Sequence, residues 1–331
     1  MMLMISDRIE KPLASWRGKE RYENTLLDCL TVIFKSGGCR WSGCRMCSYR
    51  HERFQQESCE ALLGHLKAQL AWVLKEHPLS DYRMVKIFTS GSFFDPREVP
   101  PEFLHDVSST FRGKLVIAET RPEFVRDEVI DPFVQELDDG SWKRSLYCAI
   151  GIETSNDEIR EKCINKGFTF RDFRDAAGRA RKAGAGIKAY LLFKPLFLSE
   201  REALEDMKTS ISDIVPHADM ISMNPCTVQR NTELEYYWKR GAYRPPYLWS
   251  VLSILATAPV HITCDPLGGG QKRGPHNCGT CDGEIVKGIR DYSLNDDRDL
   301  VAALLDITCG CKEEWEFVLA GEKPFGMPLT R

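Results

Sequence analysis

Strand-like and helix-like segments alternate along most of the chain. Short apolar runs at 84–88, 146–150 and 187–193 are separated by segments such as 57–76 and 199–214, whose apolar residues recur at helical spacing. Six strand–helix steps of this kind lie between residues 26 and 230. Such alternation predicts a parallel sheet with helices outside it, and functional residues gather at the carboxyl ends of parallel strands.

We expect three segments. Residues 1–25 form a charged lead-in, which we interpret as a helix covering the bottom of the core, and residues 26–230 form the repeated strand–helix region. Residues 231–331 form an extension that is rich in aromatic residues and cysteines. The aromatic stretch from Tyr236 to Trp249 either stacks on nucleobases or packs as a pair of core helices.

Three cysteines follow the first predicted strand at the spacing C-x4-C-x2-C: Cys39, Cys44 and Cys47. Three thiolates can hold three irons of a [4Fe–4S] cube and leave the fourth iron open to a ligand that is not protein. A structural zinc wants four protein ligands, and only His51 lies close enough to be the fourth. The loop therefore favours an iron–sulfur cluster, with a zinc site or simple buried thiols as alternatives.

A second group of cysteines lies in the extension. The turn Cys278-Gly279-Thr280-Cys281 is similar to a zinc knuckle, and His276 lies close to it. We expect one structural Zn²⁺ rather than a second cluster or no metal, held by four of the following candidates: Cys264, Cys278, Cys281, Cys309 and Cys311.

Charge and cysteine usage limit the partners and the compartment. A net charge of −3 argues against gripping nucleic acid by bulk electrostatics, so an RNA substrate needs a local basic face or a helper protein. The chain has 13 cysteines and no recognisable secretory signal, which indicates a reducing, cytoplasmic compartment. No apolar run approaches the length that crosses a membrane.

The pattern of motifs resembles the radical S-adenosylmethionine (SAM) superfamily, and within it the Elp3-like tRNA enzymes and the family of the radical SAM subunit of archaeosine synthase (RaSEA). The cysteine spacing is one residue longer than the usual C-x3-C-x2-C of the superfamily. The resemblance covers nearly the whole chain and rests on Gly37-Gly38-Cys39, Cys44, Cys47, Glu119-Thr120-Arg121-Pro122, Gly151-Ile152-Glu153-Thr154, Lys166-Gly167, Lys194-Pro195 and Gly274-Pro275-His276-Asn277-Cys278.

This resemblance implies an α/β fold, a partial (β/α)6 TIM-like barrel with a Cys-rich extension, and a role for each strand end. The turn Ser90-Gly91-Ser92 would receive the SAM amino group, unless it is only a strand-to-helix turn. Glu119 and Arg121 would meet the SAM ammonium and carboxylate, with ordinary salt bridges as the alternative. Glu153 and Thr154 would contact the ribose, and Lys194 would act catalytically by binding a carboxylate of SAM or substrate.

The resemblance also implies a lyase-type activity. Reductive cleavage of SAM would give a 5′-deoxyadenosyl radical, which converts a lysine-bearing 7-deazaguanine (preQ0-lysine) at tRNA position 15 into archaeosine by breaking a C–N bond. The implied partners are the tRNA, the subunit that attaches the lysine and an electron donor. The alternatives are another radical SAM tRNA modification, by methylthiolation or Elp3-like chemistry, and a zinc-stabilised RNA-binding module without catalysis.

Overall fold

The computed structural model describes residues 11–54 and 58–330. Within these ranges one sheet contains eight strands in chain order. The strands are β1 (Ala14–Tyr22), β2 (Thr25–Ile33), β3 (Met84–Phe88), β4 (Leu115–Thr120), β5 (Leu146–Glu153), β6 (Gly186–Phe193), β7 (Met220–Pro225) and β8 (Thr263–Cys264). The six strands predicted from the sequence are β2 to β7, and the α/β fold is confirmed.

Helices follow most strands. They are α1 (Cys59–Glu76), α2 (Pro101–Thr110), α3 (Asp127–Leu137), the short α4 (Asp157–Ile159), α5 (Phe170–Lys182), α6 (Glu200–Ile214), α7 (Glu233–Lys239), α8 (Leu248–Thr257), α9 (Asp282–Asn295), α10 (Arg298–Leu305) and α11 (Cys311–Gly321). Our predicted start of α1 at Glu57 lies outside the described residues, as does the lead-in before residue 11.

The chain divides into two compact units. The first comprises Met1–Arg40, Tyr49–Cys148 and Lys182–Ala185, and it contains β1 to β4 with helices α1 to α3. Here β2, β3 and β4 pair in parallel, and β1 pairs antiparallel with β2. The helix predicted for the lead-in is therefore wrong. The charged residues between Arg17 and Arg21 belong to a strand that pairs along its whole length with β2, and Lys86 of β3 forms an ion pair with Glu20 at 2.6 Å.

The second unit comprises Trp41–Ser48, Ala149–Arg181 and Gly186–Arg331. Strands β6, β7 and β8 pair in parallel, and the helix predicted over 199–214 is confirmed as α6, which begins with a capping box between Ser199 and Glu202. Tyr247 and Trp249 are fully buried, so core packing accounts for this part of the aromatic stretch, whereas Tyr236 is half-exposed. Helix α9 was not predicted.

Helix length and hydropathy bear on the expected absence of a membrane segment. The 18-residue α1 is the longest of the helices named above, and it carries Glu60, Lys67 and Lys75. Across residues 11–54 and 58–330, no helix is both long and apolar enough to cross a bilayer.

Candidate functional site

Buried polar contacts hold the loop that carries Cys39 as it leaves β2. The side-chain amide of Gln69, fully buried on α1, accepts the N–H of Lys35 at 2.8 Å and donates to the carbonyl oxygen of Lys35 at 3.0 Å. The N–H of Gly37 donates to the carbonyl oxygen of Glu98 at 3.0 Å. A Cβ at Gly37 would lie 2.8 Å from a backbone oxygen, so this approach requires glycine. The loop backbone is thus fixed just before Cys39.

The segment after β3, residues 89–98, packs directly against that loop, and we call it the Gly91 turn. A Cβ at Gly91 would lie 2.7 Å from both Cα and Cβ of Cys39, closer than real carbon atoms approach. Glycine is therefore required at position 91 because the chain passes so close to Cys39, a candidate cluster ligand. A strand-to-helix turn alone would not require it. The sequence placed Ser90-Gly91-Ser92 near the cysteine loop, and the structure brings Gly91 and Cys39 into contact.

The carboxylate of Glu98 organises the Gly91 turn from inside. Only 1% of Glu98 is exposed, and its oxygens accept the N–H of Gly91 at 2.8 Å, the N–H of Ser92 at 2.6 Å and the hydroxyl of Ser36 at 2.6 Å. Burial raises the pKa of Glu98, and these hydrogen bonds oppose the rise. The two N–H groups are therefore engaged within the protein. An ammonium group arriving at this turn would find carbonyl oxygens as its acceptors.

A second carboxylate of the Gly91 turn reaches the residue that follows Cys39. Asp95 is 1% exposed and forms an ion pair with Arg40, whose guanidinium also lies 5.0 Å from the centre of the Phe124 ring. The N–H of Asp95 donates to the carbonyl oxygen of Ser92 at 3.1 Å, which closes the turn. The sequence analysis did not identify Glu98 and Asp95 as site residues. Acidic residues in loops are usually exposed to solvent, and the neighbouring sequence does not indicate that these two are buried.

The strand end of β4 carries the predicted pair Glu119 and Arg121. The carbonyl oxygen of Glu119 accepts the N–H of Phe93 at 2.8 Å, and the N–H of Arg121 donates to the hydroxyl of Ser92 at 3.0 Å. The guanidinium of Arg121 pairs with Glu123 at 2.6 Å. Both backbones are thus tied to the Gly91 turn, and Arg121 forms a salt bridge with a residue that we had not considered. The SAM contacts of Glu119 and Arg121 stay predictions.

In the second unit, Arg45 anchors the half-buried cysteines Cys44 and Cys47. Its guanidinium makes two hydrogen bonds to Glu233, at 2.8 and 2.6 Å, and its Nε donates to the carbonyl oxygen of Lys162 at 3.0 Å. The N–H of Cys47 donates to the carbonyl oxygen of Cys44 at 3.3 Å. Both bonds to Glu233 come from Nη1 of Arg45, and together with the backbone contact of Nε these charge-assisted bonds give the short turn a defined position.

The Lys166-Gly167 motif supports the same loop. The indole N–H of Trp41 donates to the carbonyl oxygen of Asn165 at 2.7 Å. Gly167 has a φ of +73°, and a Cβ there would lie 2.3 Å from the Trp41 ring. Only glycine meets both conditions, because the left-handed conformation and the close ring each disfavour a side chain.

Two predicted site residues adopt a strained backbone at strand ends. Glu153 ends β5 with a φ of 66°, and Lys194 follows β6 with a φ of 58°. Left-handed conformations are uncommon for such residues and gather at functional sites. The sequence selected Glu153 and Lys194 by their position after strands, and the strain is an independent sign in their favour.

Glu153 and Lys194 each already form an ion pair within the protein. Glu153 pairs with Lys166 at 2.6 Å. The Lys194 ammonium, 2% exposed, lies 2.7 Å from the carboxylate of Glu200 and 3.9 Å from that of Glu322. A ligand carboxylate at Lys194 would have to share the ammonium with Glu200. The catalytic role of Lys194 stays a prediction.

Thr154 belongs to a buried hydrogen-bond network. Its hydroxyl donates to Asp206 at 2.7 Å and lies 3.1 Å from the hydroxyl of Ser210. Burial raises the pKa of Asp206 to about 6, although Thr154 and Arg160 oppose the rise. Thr154 is fully buried, its N–H donates to the carbonyl oxygen of Ile152 at 2.8 Å and its carbonyl oxygen accepts from Arg160. The ribose contact of this residue stays a prediction.

The raised pKa of Asp206 predicts how stability changes with pH. The pKa of this carboxyl is about 6 in the folded chain and about 3.9 in the unfolded chain, so the folded state binds more protons between these values. Asp206 therefore costs stability progressively as the pH rises from about 4 to about 6. We expect Asp206→Asn to remove this cost. The melting temperature of the variant minus that of the wild type should increase by about 3 °C or more between pH 4.5 and pH 7. A difference that stays flat or decreases would contradict the assignment.

Four cysteines of the extension converge. The sulfurs of Cys278, Cys281, Cys309 and Cys311 all lie within 4.8 Å of one another, and all four are free thiols. Sγ separations are 3.6 Å for Cys278 and Cys309, 3.7 Å for Cys281 and Cys311, and 3.3 Å for Cys309 and Cys311. Zinc–sulfur bonds of about 2.3 Å in a tetrahedron place sulfurs about 3.8 Å apart. The group therefore fits a single tetrahedral ion.

Hydrogen-bond donors and burial act in opposite directions on the thiols of this four-cysteine group. The indole N–H of Trp249 donates to the sulfur of Cys311 at 3.3 Å, and the amide of Asn277 donates to that of Cys281 at 3.4 Å. Burial outweighs these donors, so the pKa of Cys281 rises to about 11 and that of Cys311 also rises. Against the same effect of burial, the backbone N–H groups of Thr280 and Cys281 lower the pKa of Cys278 to about 6. Donors of this kind orient metal ligands.

The structure thus brings together four of the five cysteines that the sequence offered as candidate ligands. Cys264 lies outside the group, on β8, where its N–H donates to the hydroxyl of Ser293 at 2.9 Å. Burial raises the pKa of the Cys264 thiol, as expected of a packing residue. His276 is also outside, with its Nδ1 2.8 Å from the carbonyl oxygen of Gly274.

Comparison with known proteins gives relatives that cover nearly the whole chain. The chain is 42% identical to archaeosine synthase subunit beta of Methanosarcina acetivorans, over 96% of this chain and 93% of the relative. It is 35% identical to archaeosine synthase subunit beta of Thermococcus kodakarensis, over 92% and 95%. Among solved structures, methylornithine synthase matches with a TM-score of 0.52 and 15% identity, covering 87% of this chain and 84% of that one, which bears on the fold alone. No model of a protein family matches the chain.

The α/β architecture is the one that the strand–helix alternation led us to expect, and methylornithine synthase shares it. The chain belongs to the family of archaeosine synthase subunit beta. Family membership supports an enzyme with a role in making archaeosine.

Proposed function

We propose that this protein is the radical SAM subunit of an archaeosine synthase, converting a lysine-bearing 7-deazaguanine at tRNA position 15 into archaeosine by breaking a C–N bond. The observation that carries the proposal is the 42% identity to archaeosine synthase subunit beta over 96% of the chain. A lyase-type reaction at the lysine side chain suits a radical enzyme, because the bonds concerned are not activated for acid–base chemistry.

Cys39, Cys44 and Cys47 are proposed to hold a [4Fe–4S] cluster, which together with SAM supplies hydrogen-abstracting radical chemistry when bound. Two features support the fit. The Cys39 backbone touches a turn that only glycine permits, and Arg45 fixes the turn between Cys44 and Cys47. The carbonyl oxygens of Ser90 and Gly91 are proposed to accept the SAM ammonium, since Glu98 already takes two N–H groups of this turn.

The remaining SAM contacts are assigned to charged strand ends. Glu119 and Arg121 are proposed to meet the ammonium and carboxylate of SAM, and both are tied to the Gly91 turn through their backbones. Glu153 is proposed to meet the ribose. Thr154 is proposed to contact the ribose as well, in competition with the hydrogen bond from its hydroxyl to Asp206. Lys194 is proposed to bind a carboxylate, with Glu200 sharing its charge.

The four-cysteine group is proposed to hold one structural Zn²⁺, on the strength of its sulfur separations and N–H donors. The proposed partners are the tRNA, the subunit that attaches lysine, and an electron donor, in the cytoplasm. The name of the relatives is that of a subunit, which supports a partner. A net charge of −3 supports tRNA affinity borrowed from that partner.

The test is an assay of the anaerobically reconstituted protein with SAM, a reductant and tRNA bearing the lysine-modified base. Mass spectrometry is expected to find 5′-deoxyadenosine and archaeosine together, and tRNA that carries the deazaguanine without lysine should give no archaeosine. Deoxyadenosine without archaeosine would favour another radical SAM tRNA modification. A colourless zinc protein that binds RNA would favour the non-catalytic module.

A further inference from the structure

We propose that Glu98 is a positioning residue, which orients the carbonyl groups of the Gly91 turn for the SAM ammonium while fastening that turn to the Cys39 loop. The proposal rests on the function proposed above. It concerns the first unit alone, and it begins from the three hydrogen bonds that converge on one buried carboxylate.

Peptide geometry links Glu98 to the carbonyl oxygens. In a trans peptide the C=O points opposite to the N–H of the following residue. Since the N–H groups of Gly91 and Ser92 point at Glu98, the carbonyls of Ser90 and Gly91 point away from it. Within the described chain these two oxygens accept no hydrogen bond. Two preset, unoccupied acceptors are what an ammonium ligand requires.

The same segment fastens the chain on both sides of Cys39. Before the cysteine, the Glu98 carboxylate takes the hydroxyl of Ser36 and the Glu98 carbonyl takes the N–H of Gly37. After it, Arg40 pairs with Asp95 of the same turn. Short contacts on both sides therefore fix the position of Cys39 relative to the two carbonyls; the Glu98 and Asp95 carboxylates are buried, whereas the Arg40 side chain is 42% exposed.

The burial of the Glu98 carboxylate costs folding free energy that a purely structural residue would not require. The side chain is buried, and in residues 11–54 and 58–330 it forms no ion pair with a cationic side chain. By contrast, Glu20 in the same unit is a buried carboxylate that pairs with Lys86 at 2.6 Å and is remote in sequence from the Gly91 turn. Glu20 thus offers a matched control.

The experiment compares Glu98→Gln with Glu20→Gln in the reconstituted full chain. Whichever way the amide introduced by Glu98→Gln turns, its NH₂ faces the N–H of Gly91 or Ser92, so one acceptor is lost and the turn must shift. We expect Glu98→Gln to retain the iron content of the wild type, to bind SAM about tenfold more weakly or worse, and to alter the change that SAM causes in the electron paramagnetic resonance spectrum of the reduced cluster. Glu20→Gln should lower the melting temperature without moving either SAM signal.

The outcomes separate the two proposals. A wild type that binds neither cluster nor SAM overturns the proposed function itself. A folded Glu98→Gln variant with full iron and a SAM dissociation constant within twofold of wild type overturns the role of Glu98 alone. If Glu98→Gln loses its iron, Ser36→Ala decides, because it removes one donor and keeps both N–H contacts of the turn. We then expect full iron with SAM binding weakened about threefold, and unchanged SAM binding would overturn the inference.

Discussion

Alanine in place of Cys44 is expected to give a colourless protein that cleaves no SAM. If three thiolates hold the cluster, losing one leaves two irons of the cube without a protein ligand, counting the one reserved for SAM. The chemistry belongs to the cofactor, so little activity can survive without it. Production of 5′-deoxyadenosine should fall by at least roughly a thousandfold. Cys39→Ala and Cys47→Ala should behave alike, as measured by iron content, absorbance and product formation.

Cys59 provides the matched control for these substitutions. It is an exposed free cysteine at the start of α1, with no assigned role. Cys59→Ala should keep the brown colour, the iron content and the activity of the wild type. The cluster assignment would be wrong if Cys44→Ala stayed brown and active, or if the wild type held a single zinc at this loop with His51 as the fourth ligand.

The core strands could be predicted from the sequence, because their signals are local. The strand predicted at 84–88 coincides with β3, and the one at 187–193 begins one residue into β6. Strand β1 could not be predicted in this way, since four of its nine residues are charged, and it is a strand only because β2 offers a partner edge. Strand β8, two residues long, is likewise set by its neighbour β7.

The residues of the candidate site likewise differ in whether a local sequence signal could identify them. Cysteine spacing and strand-end position selected Cys39, Gly91, Glu153 and Lys194, and the structure adds a close contact or a left-handed backbone at each. Glu98 could not be selected, because its importance lies in burial and in three partners that are far apart in the sequence or hidden in the backbone. The choice among the five cysteines of the extension also needed coordinates.

We expect the second large effect, a loss of metal and of stability, when one ligand is removed from the four-cysteine group. The four sulfurs bring the turn before α9 close to the start of α11, and Trp249 of α8 donates to the sulfur of Cys311. If the group holds a structural zinc as proposed, its binding free energy contributes to folding, so Cys281→Ser should lose one equivalent of metal and several kcal/mol of stability. The melting temperature should fall by about 10 °C or more. Elemental analysis and thermal denaturation measure both, and a strong chelator should reproduce the loss in the wild type.

Cys264→Ala separates the loss of metal from the loss of a packed thiol. Cys264 is buried on β8 but stands outside the group, so its removal should cost about 1–2 kcal/mol of packing and leave the metal content unchanged. The iron of the Cys39 loop should persist in both variants, because the two sets of cysteines belong to different segments of the chain. A Cys281→Ser variant as stable and as metal-rich as Cys264→Ala would show that the four sulfurs gather without binding an ion. Loss of iron in place of zinc would instead reveal a second cluster at this group.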